Sequence, residues 1–408
     1  MIMAGEYKFT TIEDYELLIG AEAVERIRSK AAPLNGARVA CVNSTYYGGG
    51  VSEILDPLTL LYNGLGIEAE WRVIMGSPDF FSITKKMHNA LQGGSINLSE
   101  RKKAIYERIV FENAVRNELD HDFVVVNDPQ PLALVEHFNK RGPWIWRCHI
   151  DLSRPNRTMW NYLKPFVEKY DAAVFSIEEY RQELAIPQVF IQPAIDPFSI
   201  KNRKLDHRRV NERLEHHNIP TDLPLVVQIS RFDRWKDPEG VIEAFKLARQ
   251  EVDCTLVLLG DVATDDPEGE EVYHSLVHAR EERIIIMSRQ DSALVNALQR
   301  RAAVVLQKSI REGFGITVSE AMWKSTPVIG GNAGGISYQI EDGRNGFLVS
   351  SVEEAAARIV RLLKDDKLRK SMGRYGRQTV RKQFLLSRLL ENYLDLFNSF
   401  ETVYRLKT

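Results

Sequence analysis

Two glutamates with seven residues between them, Glu312 and Glu320, bracket the stretch most able to do chemistry. Gly313-Phe314-Gly315 follows the first of them. Upstream, Ala302–Leu306 is a short apolar run that predicts a buried strand, and Ile316–Lys324 has helical spacing with no internal Gly or Pro. A glycine-flanked turn opening a helix presents backbone N–H groups at the positive end of the dipole, where a phosphate fits. Glu312 precedes that turn and Glu320 lies about two helical turns beyond it, so the carboxylates cannot act as a close pair. One would stand beside the phosphate end of a ligand and the other further along it. On spacing alone, a tight strand–helix turn with a solvated Glu320 fits equally well. Arg231 and Lys236 supply the charge such a ligand needs, in the loop after the apolar run Leu225–Ile229. Fixed cations stabilise a leaving diphosphate more as its bond breaks than before.

These residues need a scaffold that brings strand ends together. Arg38–Asn43 reads as a buried strand, followed by Ser44–Gly50 with three glycines and then a helix over 51–63, in which Pro57 should kink or shorten the element. The loop is not GxGxxG, which disfavours a hydride-transfer dinucleotide site. Strands at 68–75, 123–127 and 143–150 alternate with helices at 80–91 and 100–119, and another strand is read at 189–192. Such alternation predicts a doubly wound parallel sheet, with Asn43, Gly49, Gly50, Asp128, His149 and Asp151 at carboxyl ends of strands, on the ligand edge. Pro193 and Pro197 mark a linker, and a second series follows with strands at 225–229, 255–259, 283–287, 302–306 and 327–329. The expected fold class is therefore α/β, with two Rossmann-like domains and a cleft between them. The boundaries read as 1–197 and 198–386, with a final helix at about 387–408 crossing back onto the first domain.

The chain has 408 residues, 44% hydrophobic and 27% charged, with a net charge of −2, so it carries no electrostatic footprint for nucleic acid or an anionic membrane. Its three cysteines, Cys41, Cys148 and Cys254, are far apart and predict buried thiols rather than disulfides. No signal-peptide pattern is read over 1–20 and no run approaches a membrane span, so the expected location is cytoplasmic. The nine histidines are scattered, and Asp265-Asp266 reads as a surface turn, so no metal site is expected.

The Glu312–Glu320 stretch with its Gly-Phe-Gly resembles the signature of the retaining GT-B glycosyltransferases of the sucrose-synthase-like family, family 4. Within it, several stretches are similar to the trehalose glycosyltransferring synthases: Val42-Asn43-Ser44-Thr45 with Gly48–Val51, His88–Gly93, Asp128–Pro131, Trp144–Ser153 and Ser309–Gly315. The chain departs from the wider pattern at Ser230, often Gly, and at Gln307-Lys308, where a run into Pro-Ser is more usual. The resemblance implies Arg231 and Lys236 on the donor diphosphate with the Gly313, Phe314 and Gly315 amides, Glu312 at the donor sugar and Glu320 on the ribose. Gly49 and Gly50 would form the loop facing the donor. His149 would sit near the reacting centre, with Asn43, Asp128 and Asp151 toward the acceptor. The implied reaction moves glucose from a nucleoside-diphosphate glucose to free glucose, giving α,α-trehalose with retention, in either direction. It needs no dedicated base, because the departing phosphate oxygen takes the acceptor's proton. No tightly bound cofactor is implied, Mg²⁺ entering only through the donor's phosphates, and the assembly it allows is a homodimer. Other readings are a family 4 transferase with a sugar phosphate, glucan or lipid acceptor, a GT-B epimerase, and a non-catalytic sugar-nucleotide sensor.

Overall fold

The computed structural model describes residues 9–46, 49–260, 267–278 and 281–405, without side chains for 267, 268 and 401–405. Gly48 of the glycine run and Asp265-Asp266 lie outside these residues. Among them, two parallel sheets organise the chain. The first contains β1 (Arg38–Asn43), β2 (Glu68–Val73), β3 (Phe123–Asn127), β4 (Trp144–Arg147), β5 (Ala172–Phe175) and β6 (Gln188–Phe190) in the order β2-β1-β3-β4-β5-β6. The second contains β7 (Leu225–Ile229), β8 (Thr255–Gly260), β9 (Ile284–Ser288), β10 (Val304–Gln307), β11 (Val328–Gly331) and β12 (Gly346–Val349) in the order β12-β11-β10-β7-β8-β9.

The strand sequences explain this arrangement. Parallel sheets are covered on both faces, so their strands read as continuous apolar runs rather than alternations. Along β3, Val124 and Val126 enter one core with Trp144 and Trp146, while Phe123 and Val125 enter a second core with Val39, Cys41 and Ile145. Each sheet also has a point where strand order reverses, between β1 and β3 in the first and between β7 and β10 in the second. Loops leaving the carboxyl ends of two such strands diverge and open a crevice. The glycine loop and Asp128 flank the first crevice. Arg231 with Lys236, and Glu312 with Gly315, flank the second.

The structure differs from the sequence reading in detail. Strands β5 and β12 were not expected. The segment after β4 leaves the strand at Arg147, so Cys148–Ile150 belong to the loop. Pro57 lies inside a helix that continues over Gly50–Gly64. The three cysteines are free and buried. Among the described residues, no helix is long and apolar enough to cross a membrane.

The chain crosses between the lobes twice, at one place. Ile195 N donates to Phe384 O at 2.9 Å, and Leu386 N donates to Ile195 O at 3.0 Å. Beyond that contact the helix Leu386–Arg405 packs Leu389, Leu390, Leu394 and Phe397 into the core beneath β1 and β3. Arg388 Nη2 donates to Pro193 O at 3.0 Å and fastens the two crossings together.

Candidate active site

Lys236 ends a single 3-10 turn after β7, and Asp237 closes that turn in the left-handed region at φ 50°. Asp237 then caps the Pro238–Ala248 helix by accepting from Gly240 N, and Lys308 Nζ pairs with its carboxylate. This Lys308 contact gives a local reason for one departure from the family pattern. Lys236 Nζ reaches Glu312 Oε2 at 2.6 Å, and Ser309 Oγ donates to the same oxygen at 3.1 Å. Glu312 is 8% exposed, so its carboxylate is held by a cation and a hydroxyl with little water. Arg231 Nη2 lies 3.7 Å from Asp233 Oδ2. Lys85, on the Pro78–Leu91 helix of the other lobe, approaches that same oxygen at 3.8 Å. Three cations, two from the donor-side loop and one from across the crevice, therefore gather around Asp233 and Glu312.

Gly315 has φ 79° and ψ 59°, a left-handed conformation that glycine adopts without a Cβ penalty, and it caps the Ile316–Trp323 helix with no side-chain bond to its first turn. Phe314 contributes backbone only. Its ring is buried and meets Phe384 edge-on at 5.5 Å. Gly313 packs closely against the other lobe: a Cβ there would stand 1.9 Å from His149 O. Tyr180 of the first lobe donates to Glu312 O at 2.8 Å. A Cβ on Gly50, at the start of the Gly50–Gly64 helix, would lie 3.5 Å from Ile316 Cγ2. The first turns of two helices thus face each other across the crevice. Gly49, the residue before, has φ 91°, again the glycine-favoured region.

On the first lobe Asp128 and His149 are bonded to each other, while Asp151 and Asn43 each engage other neighbours. Asp128 has φ 64°, a strained conformation for a residue with a side chain, and its carboxylate accepts from His149 N at 2.8 Å. His149 Nε2 contacts Asn127 Oδ1 at 3.0 Å. Burial, and then the Arg147 guanidinium nearby, hold the His149 ring well below the ordinary imidazole range, so it stays neutral around pH 7. Asp151 Oδ1 accepts from Ser153 N at 2.9 Å and Ser153 Oγ at 2.6 Å, and its other oxygen faces Arg311 of the second lobe at 3.6 Å. Asn43 is buried and donates to Thr45 O at 3.1 Å, shaping the start of the glycine loop.

Burial pushes Asp128 up to about 6, against the His149 amide and Arg147, which lower it. The folded state then holds this proton between roughly pH 4 and 6 while the unfolded chain has lost it, so the group lowers stability as pH rises through that window. Asp128→Asn keeps an acceptor for the His149 amide and lacks the slope. Urea unfolding at pH 4 and pH 7.5 should show the variant gaining on the parent at the higher pH by about 2–3 kcal/mol, since a tenfold difference in proton affinity between folded and unfolded chains is worth about 1.4 kcal/mol. An equal difference at both pH values would place the Asp128 proton elsewhere.

Glu312 and Glu320 face different partners. Glu320 is 2% exposed and stands against Lys201, so the solvated alternative is excluded. The sequence reading missed Lys85, Asp233, Tyr180, Ser309 and Lys201. The His88–Gly93 stretch noted there begins three residues after Lys85, and that was the nearest signal to it.

Residues 41–182 match the model of the trehalose synthase N-terminal domain, and residues 210–379 match that of glycosyl transferases group 1. A trehalose synthase of Pyrococcus horikoshii is 44% identical over 398 residues, covering 95% of this chain and 96% of that protein. The chain belongs to the trehalose synthase family. It is a glycosyltransferase with the GT-B fold. The sucrose-phosphate synthase of Thermosynechococcus elongatus has the same fold, with a TM-score of 0.70 and 20% identity, over 90% of this chain and 100% of that one. An Anabaena protein solved in complex with UDP-glucose superposes at a TM-score of 0.67 and 17% identity, over 89% of this chain and 100% of that one. The two regions matched by the trehalose synthase and glycosyl transferase models fall on either side of the crossing at Ile195. Each supplies one wall of the crevice where Gly313 meets His149.

Proposed function

We propose that the chain transfers glucose from a nucleoside-diphosphate glucose to free glucose, forming α,α-trehalose with retention at the transferred anomeric carbon. The observation that carries this reading is the 2.6 Å contact between Lys236 and Glu312 at the mouth of the Gly313–Gly315 turn, in a chain so similar to trehalose synthases. Lys236 Nζ and Arg231 face the diphosphate and take up the charge that grows on its terminal oxygen. The backbone N–H groups opening the Ile316–Trp323 helix complete the cradle. Glu312 orients the donor sugar and Glu320 accepts from the ribose. The acceptor hydroxyl enters from the first lobe, on the same face as the leaving group, and its proton passes to the departing phosphate oxygen. His149 is neutral here and hydrogen-bonds a sugar hydroxyl rather than titrating. A double displacement through a carboxylate would need two close carboxyls, whereas Glu312 and Glu320 are engaged by different lysines. Mg²⁺ comes with the donor's phosphates, since the side chains aimed at the diphosphate are cationic.

Incubating the enzyme with UDP-, ADP- or GDP-glucose plus glucose, and following the anomeric signals by NMR, tests this. The expected product is α,α-trehalose with release of the matching diphosphate, and the reverse reaction should regenerate the donor. A product bearing a phosphate or a lengthened glucan, or donor hydrolysis alone, would overturn it. In the same assay His149→Ala should lower kcat/KM for glucose by ~10²-fold, the loss of one preorganised hydrogen-bonding group in the transition state. Unchanged rate and acceptor affinity would remove His149 from the site.

A further inference from the structure

Two consecutive residues of the connection between lobes grip the helix that carries Glu320. Lys201 Nζ stands 3.4 Å from Glu320 Oε1 and also contacts Glu53 in the first turn of the Gly50–Gly64 helix. Asn202 Oδ1 accepts from Lys324 Nζ at 2.8 Å, and Lys324 donates as well to Gln299 Oε1 at 2.7 Å and to the Glu320 carbonyl at 3.2 Å. Asn202 in turn donates to Asp196 O at 3.0 Å, which anchors the grip within the connection itself.

A carboxylate as buried as Glu320 needs a cation beside it, or it stands as an uncompensated charge in the interior. Two lysines are near enough. Burial drives Lys324 down to about 7, with Glu320 opposing and Arg300 and Lys201 adding to the fall, and its three N–H donors are taken by Asn202, Gln299 and the Glu320 carbonyl, which leaves none for the carboxylate. Burial also pulls on Lys201, but Glu320 and Glu53 outweigh it and hold that ammonium above the ordinary lysine range. Lys201 is therefore the dependable counter-charge, and Glu53 keeps it in place.

We propose that Lys201 is the positioning residue for recognition of the donor's ribose: from the interlobe connection it fixes the orientation and charge of the Glu320 carboxylate that accepts the ribose hydroxyls. This rests on the reading of Glu320 as the ribose ligand. The residue touches neither the phosphate nor the sugar being moved, so its loss acts on one part of the donor only.

The test compares kcat/KM for the nucleoside-diphosphate glucose the parent enzyme uses with that for its 2′-deoxyribose counterpart. The parent should prefer the ribose form by about 10- to 100-fold, the worth of one charge-assisted hydrogen bond. Glu320→Gln should lose most of that preference. Lys201→Met should reduce it to within about threefold, mainly through donor KM, while Lys201→Arg recovers part of it; Glu53→Gln should fall between parent and Lys201→Met. A purely structural role for Lys201 would lower both rates together and leave their ratio untouched. If Lys201→Met does not fold, Lys201→Gln gives the same reading. A parent that discriminates and a Glu320→Gln that does not, beside a Lys201→Met that still discriminates, overturns the proposal alone. A parent indifferent to the 2′-hydroxyl overturns the assignment of Glu320, and the proposal with it.

Discussion

Lys236→Ala should lower kcat/KM for transfer by ~10²–10³-fold, the range found when one preorganised donor to a developing anion is removed. The ammonium does two things at once. It meets Glu312 Oε2 at 2.6 Å, fixing the carboxylate that lies beside the Gly313–Gly315 turn, and it presents charge to the leaving diphosphate. With the lysine gone, Glu312 keeps Ser309 Oγ as a donor, and the 3-10 turn keeps Asp233 as its cap. The fold should therefore survive, but a buried carboxylate that has lost its cation should bring unfolding to a lower temperature. Arg231→Ala should act in the same direction, with a smaller loss, because its side chain is 39% exposed and water can replace part of it. Lys236→Arg should rescue poorly, since a planar fork does not fit a site built for a point charge. Near-normal turnover in Lys236→Ala, with the protein folded, would remove the cation from the reaction.

Gly313→Ala should cost nearly as much by a different route. The added methyl carbon would stand 1.9 Å from His149 O and 3.0 Å from its carbonyl carbon. Both are backbone atoms of the opposite lobe, so no side chain can swing aside. Contacts below 3.0 Å are essentially never seen for a Cβ, so the walls must part by at least 1.1 Å, the difference between 3.0 and 1.9 Å. A displacement of about 1 Å between reacting groups is worth ~10²-fold in rate. The residues proposed to bind the nucleotide, Arg231, Lys236 and Glu320, all lie on one lobe and stay in register with each other. Calorimetry should thus find nucleoside-diphosphate affinity within about threefold of the parent, while kcat falls ~10²-fold. A parent-like kcat would mean that the two lobes do not meet here during turnover. Loss of nucleotide binding in step with kcat would instead place the damage in the turn itself.

Most strands were legible because a parallel sheet writes itself as unbroken apolar runs, as in Phe123–Asn127 and Leu225–Ile229. Strands β5 and β12 escaped for a physical reason. Ala172-Ala173 opens the first and Gly346 the second, residue types depleted in strands, so each run holds only two or three strand-favouring residues. The strand-end placement of His149 was legible, although it sits two residues past the end of β4 rather than within it. The burial of Glu320 was not, because a lone glutamate on a helix reads as solvated until its cation is found. That cation, Lys201, follows the linker marked by Pro193 and Pro197, and no local pattern ties it to a glutamate so far along the chain. Lys85 and Tyr180 were hidden for a related reason. Their partners, Asp233 and Glu312, belong to the other lobe, and no local pattern encodes how two lobes face each other. The resemblance to family 4 named the residues within each lobe but not the bonds across them.

The paired crossing at Ile195 and Leu385 has a mechanical consequence. Two segments of the one chain, bonded side by side, form a narrow joint whose line a rotation of one lobe against the other would follow. The strap that sets how the two walls meet at Gly313 and His149 thus lies in bonds outside the chemistry.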